Sequence, residues 1–270
     1  MHFICGTCGT QYRDTPASPA QCPICEDERQ YVGLSGQQWT TLNQLRQDHR
    51  VTVHEEALGI LSLTVEPHFA IGQRAFLLQT SEGNLLWDCI ALLDEPTIER
   101  IASLGRLKAI CISHPHYYTT MVEWSRAFNN APVYLHRDDA QWVMRPDPCI
   151  HFWEGETKQL FGGLTAIRCG GHFDGAAVLH WLDAPGGQGA LFSGDTIQVV
   201  PDRRFVSFMR SYPNLIPLNA TAIQKIVNAV EPFPFHRIYG AFPKMTVSTD
   251  GKNAVRRSAE RYLNAIRAAV

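Results

Sequence analysis

From His54 onward the apolar residues fall into short runs bounded by turn-formers. This predicts strands at Gly59–Val65, Ala75–Gln79, Leu85–Asp88, Ala109–Ile112, Val133–Leu135, Leu164–Arg168, Ala177–Trp181, Ala190–Ser193 and Arg237–Tyr239. Three stretches repeat at helical spacing instead. Thr97–Leu104 puts Ile98, Ile101 and Ala102 on one face, and Ala220–Val230 does so with Ile223, Ile226, Val227 and Val230. Ala254–Ala269 aligns Val255, Tyr262, Leu263 and Ile266 and closes the chain. Strands early and late with helices between them predict an α/β chain of two sheets sandwiched between helices.

Before His54 the pattern is different. Residues 33–50 are Gln-rich and polar, with Trp39 and Leu42 as apolar pegs, and read as a connector packed on the main domain. The expected division is a metal knuckle over 1–32, a linker over 33–53 and a main domain over 54–270. A chain of 270 residues suits one small module and one domain. Apolar residues at 45% and charged residues at 19% are a globular composition. The net charge of −2 lacks the basic footprint of a nucleic-acid binder.

No apolar run approaches the roughly 20 residues that cross a bilayer, so no membrane partner is expected. The start Met1-His2-Phe3-Ile4-Cys5 lacks the basic, then apolar, layout of a secretory signal. The cytoplasm is the expected compartment. The eight cysteines then read as metal ligands or buried apolar groups rather than a disulfide framework.

Four of them are paired. Cys5-Gly6-Thr7-Cys8 and Cys22-Pro23-Ile24-Cys25 are two Cys-x-x-Cys turns thirteen residues apart. Each turn can aim backbone N–H groups at thiolates, and two turns complete a tetrahedral sulfur shell. A segment this short buries too little to fold alone, so the ion supplies its stability. The pattern resembles the rubredoxin-like knuckle that closes rubrerythrins and also resembles zinc ribbons. Zinc would imply a structural or docking part, and iron would imply electron transfer with a redox partner.

Further along, three signals each follow an apolar strand. Ile112-Ser113-His114-Pro115-His116 places two histidines at i and i+2, expected on extended chain and one face. Gly170-Gly171-His172 lets the backbone bring an imidazole close. Ser193-Gly194-Asp195 ends a strand in a carboxylate. Three imidazoles and one carboxylate suit Zn²⁺ or Fe²⁺.

In this order the motifs over 54–265 resemble the metallo-β-lactamase superfamily, in its glyoxalase-like branch. That resemblance implies an αββα sandwich carrying the metal at one edge of its sheets, with His114, His116, His172 and Asp195 as ligands and catalytic groups. Leu85-Leu86-Trp87-Asp88 is similar to the family's early strand ending in an acid. The family's first motif continues Asp-His, where this chain has Tyr118-Thr119, and its late Gly-His falls at Gly240-Ala241. His236 precedes the last strand and substitutes poorly. The main domain is therefore expected to hold at most one Zn or Fe ion.

Tyr117 and Tyr118 are candidates to present phenols to the site, His68 to line the pocket, and Arg210 with Tyr212 to bind an anionic substrate. His136 with Asp138 and Asp139 reads as a strand end capping a helix, and Cys111 as core. His54, His151 and His180 have no partner at ligand spacing, and Cys89, Cys149 and Cys169 no visible pairing. The expected function is mononuclear metal-dependent hydrolysis of a small thioester, ester or related molecule. The alternatives are an iron-dependent, dioxygenase-like redox enzyme fed by the knuckle, and a non-catalytic ligand-binding descendant.

Overall fold

The computed structural model describes residues 1–267 and contains two sheets packed face to face. The first has seven strands in chain order: Arg50–Ala57, Ile60–Glu66, Ala75–Thr80, Gly83–Trp87, Leu107–Cys111, Val133–His136 and Ile150–Trp153. Its first four strands are antiparallel and the later pairings are parallel. The second has six, Thr157–Gln159, Leu164–Arg168, Ala177–Trp181, Ala190–Phe192, Arg237–Tyr239 and Thr246–Val247, with one parallel pairing at Ala190–Phe192.

The alternation of side chains along each strand builds three apolar layers. Leu85 and Trp87 point between the sheets with Phe76, Leu179, Phe192 and Tyr239. Leu86 and Ile110 point outward onto Ile101 of helix Glu95–Ser103 and onto Trp124 of helix Met121–Ala127. On the opposite face Val178, Leu191 and Ile238 meet Ile223 and Ile226 of helix Ala220–Val230 and Val255 of helix Gly251–Arg267. This is the αββα sandwich. The predicted closing helix is present as far as Arg267, and its remainder to Ala269 lies outside the described residues.

Residues expected as a connector carry structure of their own. Trp39–Thr41 pairs antiparallel with Phe3–Cys5, helix Leu42–Asp48 follows, and strand Arg50–Ala57 opens the first sheet. Thr41 caps that helix by accepting from the Gln44 N–H, a local stop-and-start that the Gln-rich composition hid. The His136 side chain accepts from the Asp138 N–H and starts a 3₁₀ turn over Arg137–Trp142. Cys111 lies in the layer between the sheets. No helix among the described residues is long and apolar enough to cross a membrane.

Candidate metal centre

Three strands of the two sheets end at one edge, and the segments leaving them carry His114, His116, His172 and Asp195. One nitrogen or oxygen from each lies within 4.8 Å of all the others, and all four residues are buried. His114 Nε2 is 3.4 Å from Asp195 Oδ2, and His172 Nε2 is 3.4 Å from His116 Nδ1. Tetrahedral nitrogen or oxygen ligands about 2.05 Å from a zinc stand roughly 3.3 Å apart, so the spacing fits one ion. His114 Nε2 and Asp195 Oδ1 are buried with no hydrogen-bond partner among the described residues. An imidazole nitrogen and a carboxylate oxygen without protein partners, side by side in one cluster, suit a cation.

The local chain explains the aim of each ring. His114 is extended, but Pro115 opens a single 3₁₀ turn over Pro115–Tyr117, so His116 does not continue an extended strand. The pair therefore presents different atoms, Nε2 of His114 and Nδ1 of His116. Ser113 Oγ lies 2.8 Å from His114 Nδ1, and the Ser113 N–H donates to Asp88 Oδ1 at 2.7 Å. Asp88 thus acts through Ser113 to hold the first imidazole. His172 Nδ1 is 3.2 Å from the Met209 carbonyl, which leaves Nε2 for the cluster.

Two glycines are required by close approach. A Cβ on Gly171, at φ 83°, would stand 2.9 Å from Ile226, and one on Gly194, at φ 49°, would stand 2.9 Å from Ser113 Oγ. Electrostatics favour cation binding. Burial would raise the Asp195 carboxyl, but the imidazoles of His114 and His116 beside it hold it below the usual carboxylate range. Burial lowers the imidazole of His116 and, more strongly, that of His172, so both stay neutral and available as ligands.

The other sequence candidates are distributed unevenly. His68 and Tyr212 line a cavity of about 380 Å³ together with His116, His172 and Asp195. Tyr212 donates its hydroxyl to the Asp195 carbonyl at 2.9 Å. The phenols of Tyr117 and Tyr118 do not enter that cavity. Tyr117 donates to the Arg74 carbonyl at 3.2 Å, and Tyr118 to the Asp139 carbonyl at 3.5 Å. Burial raises both phenols well above their ordinary range. Arg210 does not line the cavity either, because its Nε is paired with Glu28. His236 faces away from the centre, where its Nδ1 meets the Asp250 N–H at 3.4 Å.

Two residues that sequence reasoning missed are close to the centre. Gln73 donates from Nε2 to Asp195 Oδ2 at 2.6 Å with both side chains buried. Arg29, four residues beyond Cys25, donates from Nε to the His172 carbonyl at 2.7 Å. The one available signal was polarity out of place, since Gln73 and Arg74 directly precede an apolar strand.

The second cluster is Cys5, Cys8, Cys22 and Cys25, all free thiols and all buried. Cys5 Sγ is 3.5 Å from Cys25 Sγ, and Cys8 Sγ is 3.7 Å from Cys22 Sγ. A tetrahedral ion with metal–sulfur bonds of about 2.3 Å separates its sulfurs by roughly 3.8 Å, so one ion fits. Gln37 Nε2 donates to Cys5 Sγ at 3.1 Å. The cluster docks on the body through the Gln11 N–H to the Thr119 carbonyl at 3.0 Å. Cys8, Gln73, His116 and Thr119 border one cavity of about 20 Å³, so the two clusters are neighbours.

This edge-of-sheet centre on an αββα sandwich defines a metallo-β-lactamase fold with an N-terminal four-cysteine cluster. Solved structures agree. The chain superposes on the metallo-β-lactamase TMB-1 with a TM-score of 0.59 at 15% identity, covering 78% of this chain and 98% of that one. The mono-zinc form of FIM-1 from Pseudomonas aeruginosa gives 0.58 at 16% identity, covering 79% and 96%. DIM-1 gives 0.58 at 13% identity, covering 79% and 98%. No family model matches the chain. It is 49% identical over 267 residues to the uncharacterized protein YmaE of Bacillus subtilis (strain 168), covering 98% of this chain and 97% of that protein. The chain belongs to the YmaE family.

Proposed function

We propose that the body is a mononuclear metal-dependent hydrolase of a small thioester, ester or related substrate, in the glyoxalase-like branch of the fold. One observation carries this reading. Four ligand atoms converge, and three of the residues that carry them, His116, His172 and Asp195, line a cavity of about 380 Å³, a size that suits a small molecule. The mono-zinc state described for FIM-1, a structural neighbour, supports a single-ion centre.

A bound Zn²⁺ or Fe²⁺ supplies Lewis acidity and a water of lowered pKa. His114, His116 and His172 hold the cation, and Asp195 acts as ligand or water-orienting base. Oδ2 of Asp195 is engaged by Gln73, whereas Oδ1 is buried and has no partner among the described residues. A second ion lacks ligands, since Tyr118 is turned to Asp139, Thr119 Oγ1 donates to the Tyr117 carbonyl, and Ala241 offers no donor atom.

A second reading, iron-dependent redox chemistry with the knuckle passing electrons, is supported by the cavity that Cys8 and His116 share. Iron and zinc counted per chain in native protein, alongside turnover of a thioester panel, separate the readings. Zinc in the knuckle with one body ion and chelator-sensitive hydrolysis supports the hydrolase. Two irons per chain support the redox enzyme. No ion outside the knuckle means a non-catalytic binding protein, and two body ions restore a binuclear enzyme.

A further inference from the structure

The cavity beside the body cluster has two walls of different origin. His68, His116, His172, Asp195 and Tyr212 come from the body, while Thr7, Arg29, Gln30 and Tyr31 come from the knuckle. Among the described residues that line it, Arg29 is the one lysine or arginine. It is also 6% exposed, an unusual place for a guanidinium.

Its fixation accounts for only part of its donors. Nε is taken by the His172 carbonyl at 2.7 Å and Nη1 by Asp27 at 2.8 Å, while the guanidinium lies 4.4 Å from the centre of the Phe173 ring. Nη2 makes no hydrogen bond to any described residue. The backbone around it is held as well. Ser211 Oγ donates to the Arg29 carbonyl at 3.2 Å, and Asn214 Nδ2 donates to the carbonyls of Glu28 at 2.9 Å and Gln30 at 2.8 Å. A buried, oriented arginine with a donor to spare is prepared for an anion, and prior ordering removes much of the entropy cost of binding one.

Resting on the hydrolase reading of the same cavity, we propose that Arg29 is its specificity-determining residue, receiving a carboxylate carried by the substrate. A carboxylate is chosen over a phosphate because the cavity offers this single fixed cation, and its Nη1 edge is already shared with Asp27. The knuckle would then be part of the substrate site and not only a neighbour of it.

Succinate and its neutral diamide, titrated calorimetrically into metal-loaded protein, test the carboxylate preference without any turnover. Wild-type protein is expected to bind succinate and to bind the diamide at least about tenfold more weakly. Arg29→Gln should lose about tenfold or more for succinate and nothing for the diamide, and Arg29→Lys should retain part of the preference. A purely structural Arg29 would weaken both probes together, and that result overturns the proposal. So does equal binding of the two probes by wild-type protein, which decides the matter even if Arg29→Gln fails to fold. A parallel assay compares two thioesters of equal length, one ending in a carboxylate and one in its methyl ester. Arg29-dependent succinate binding without hydrolysis of either would keep this proposal and remove the hydrolase reading.

Discussion

The two clusters are built from opposite materials. Four sulfurs from one short segment make the first, and its ligands lie between Cys5 and Cys25. Three imidazoles and a carboxylate make the second, gathered from strand ends between His114 and Asp195. A closed sulfur shell leaves no position for substrate, which is how structural ions are held. The second cluster opens on a cavity and retains Asp195 Oδ1 and His114 Nε2 without partners. In the first, the ion is expected to make the local fold. In the second, the fold makes the site, and the ion is expected to be separable from it.

The largest effect should come from breaking the first cluster. Replacing Cys22 and Cys25 together by serine should remove several kcal/mol of stability, because a segment of this size depends on its ion. Thermal unfolding should fall by many degrees, and limited proteolysis should cut within residues 1–32 first. Because Thr7, Arg29, Gln30 and Tyr31 line the cavity, catalysis should fall with it although no body ligand has changed. An unaltered melting curve would show that the knuckle folds without its ion.

Breaking the second cluster should do the reverse. His114→Ala should abolish the body ion, measured by elemental analysis, and leave the near-ultraviolet circular dichroism and the knuckle ion in place. Removing a ring from a centre held by four ligands should also leave the melting temperature within a few degrees when both proteins are compared without a body ion. A collapse of the fold would mean that this cluster too is structural.

Gln73 offers a milder test. Its N–H is given to the oxygen of Asp195 that faces the imidazoles, at 2.6 Å. Partners that orient a ligand typically change metal affinity by about 10- to 100-fold, so Gln73→Leu should weaken the body ion by about tenfold and leave the knuckle ion unaffected. Equal affinity in competition with a chelator would remove Gln73 from the site.

How much of this was legible follows from distance along the chain. The paired cysteines are a local pattern, and spacing alone locates them. The strands before His114, His172 and Asp195 announce themselves by apolar runs, so these residues could be placed at one edge. His116 was legible as a neighbour of His114 but not as a member of a 3₁₀ turn, because Pro115 permits several backbones. Arg29 and Gln73 were hidden because each acquires its role from a partner more than a hundred positions away, His172 and Asp195 respectively. Tyr117 and Tyr118 misled over shorter distances, 43 and 21 positions. Their hydroxyls are claimed by the carbonyls of Arg74 and Asp139, which no local pattern reveals.

The last contrast is between two buried carboxylates of the body. Asp195 is surrounded by imidazoles and held low, whereas Asp139 has mainly the Gly175 N–H at 2.9 Å. Burial is the dominant influence on Asp139 and pushes its carboxyl up to about 7, against the lowering effect of that N–H. In an unfolded chain the same group titrates near about 3.9. With the folded value above the unfolded one, the native state binds the extra proton between them. The associated stability is therefore complete below about pH 4 and is lost as the pH rises through about 7. Asp139→Asn keeps an oxygen for the Gly175 N–H and removes the titration. Relative to the variant, wild-type protein should lose on the order of 2 kcal/mol between about pH 5 and about pH 8, read from denaturant midpoints. The comparison isolates Asp139, since every other titrating group is common to both proteins. Parallel pH profiles for the two would mean that Asp139 is ionised across the whole range, with its charge carried by Gly175 and by the nearby Arg29.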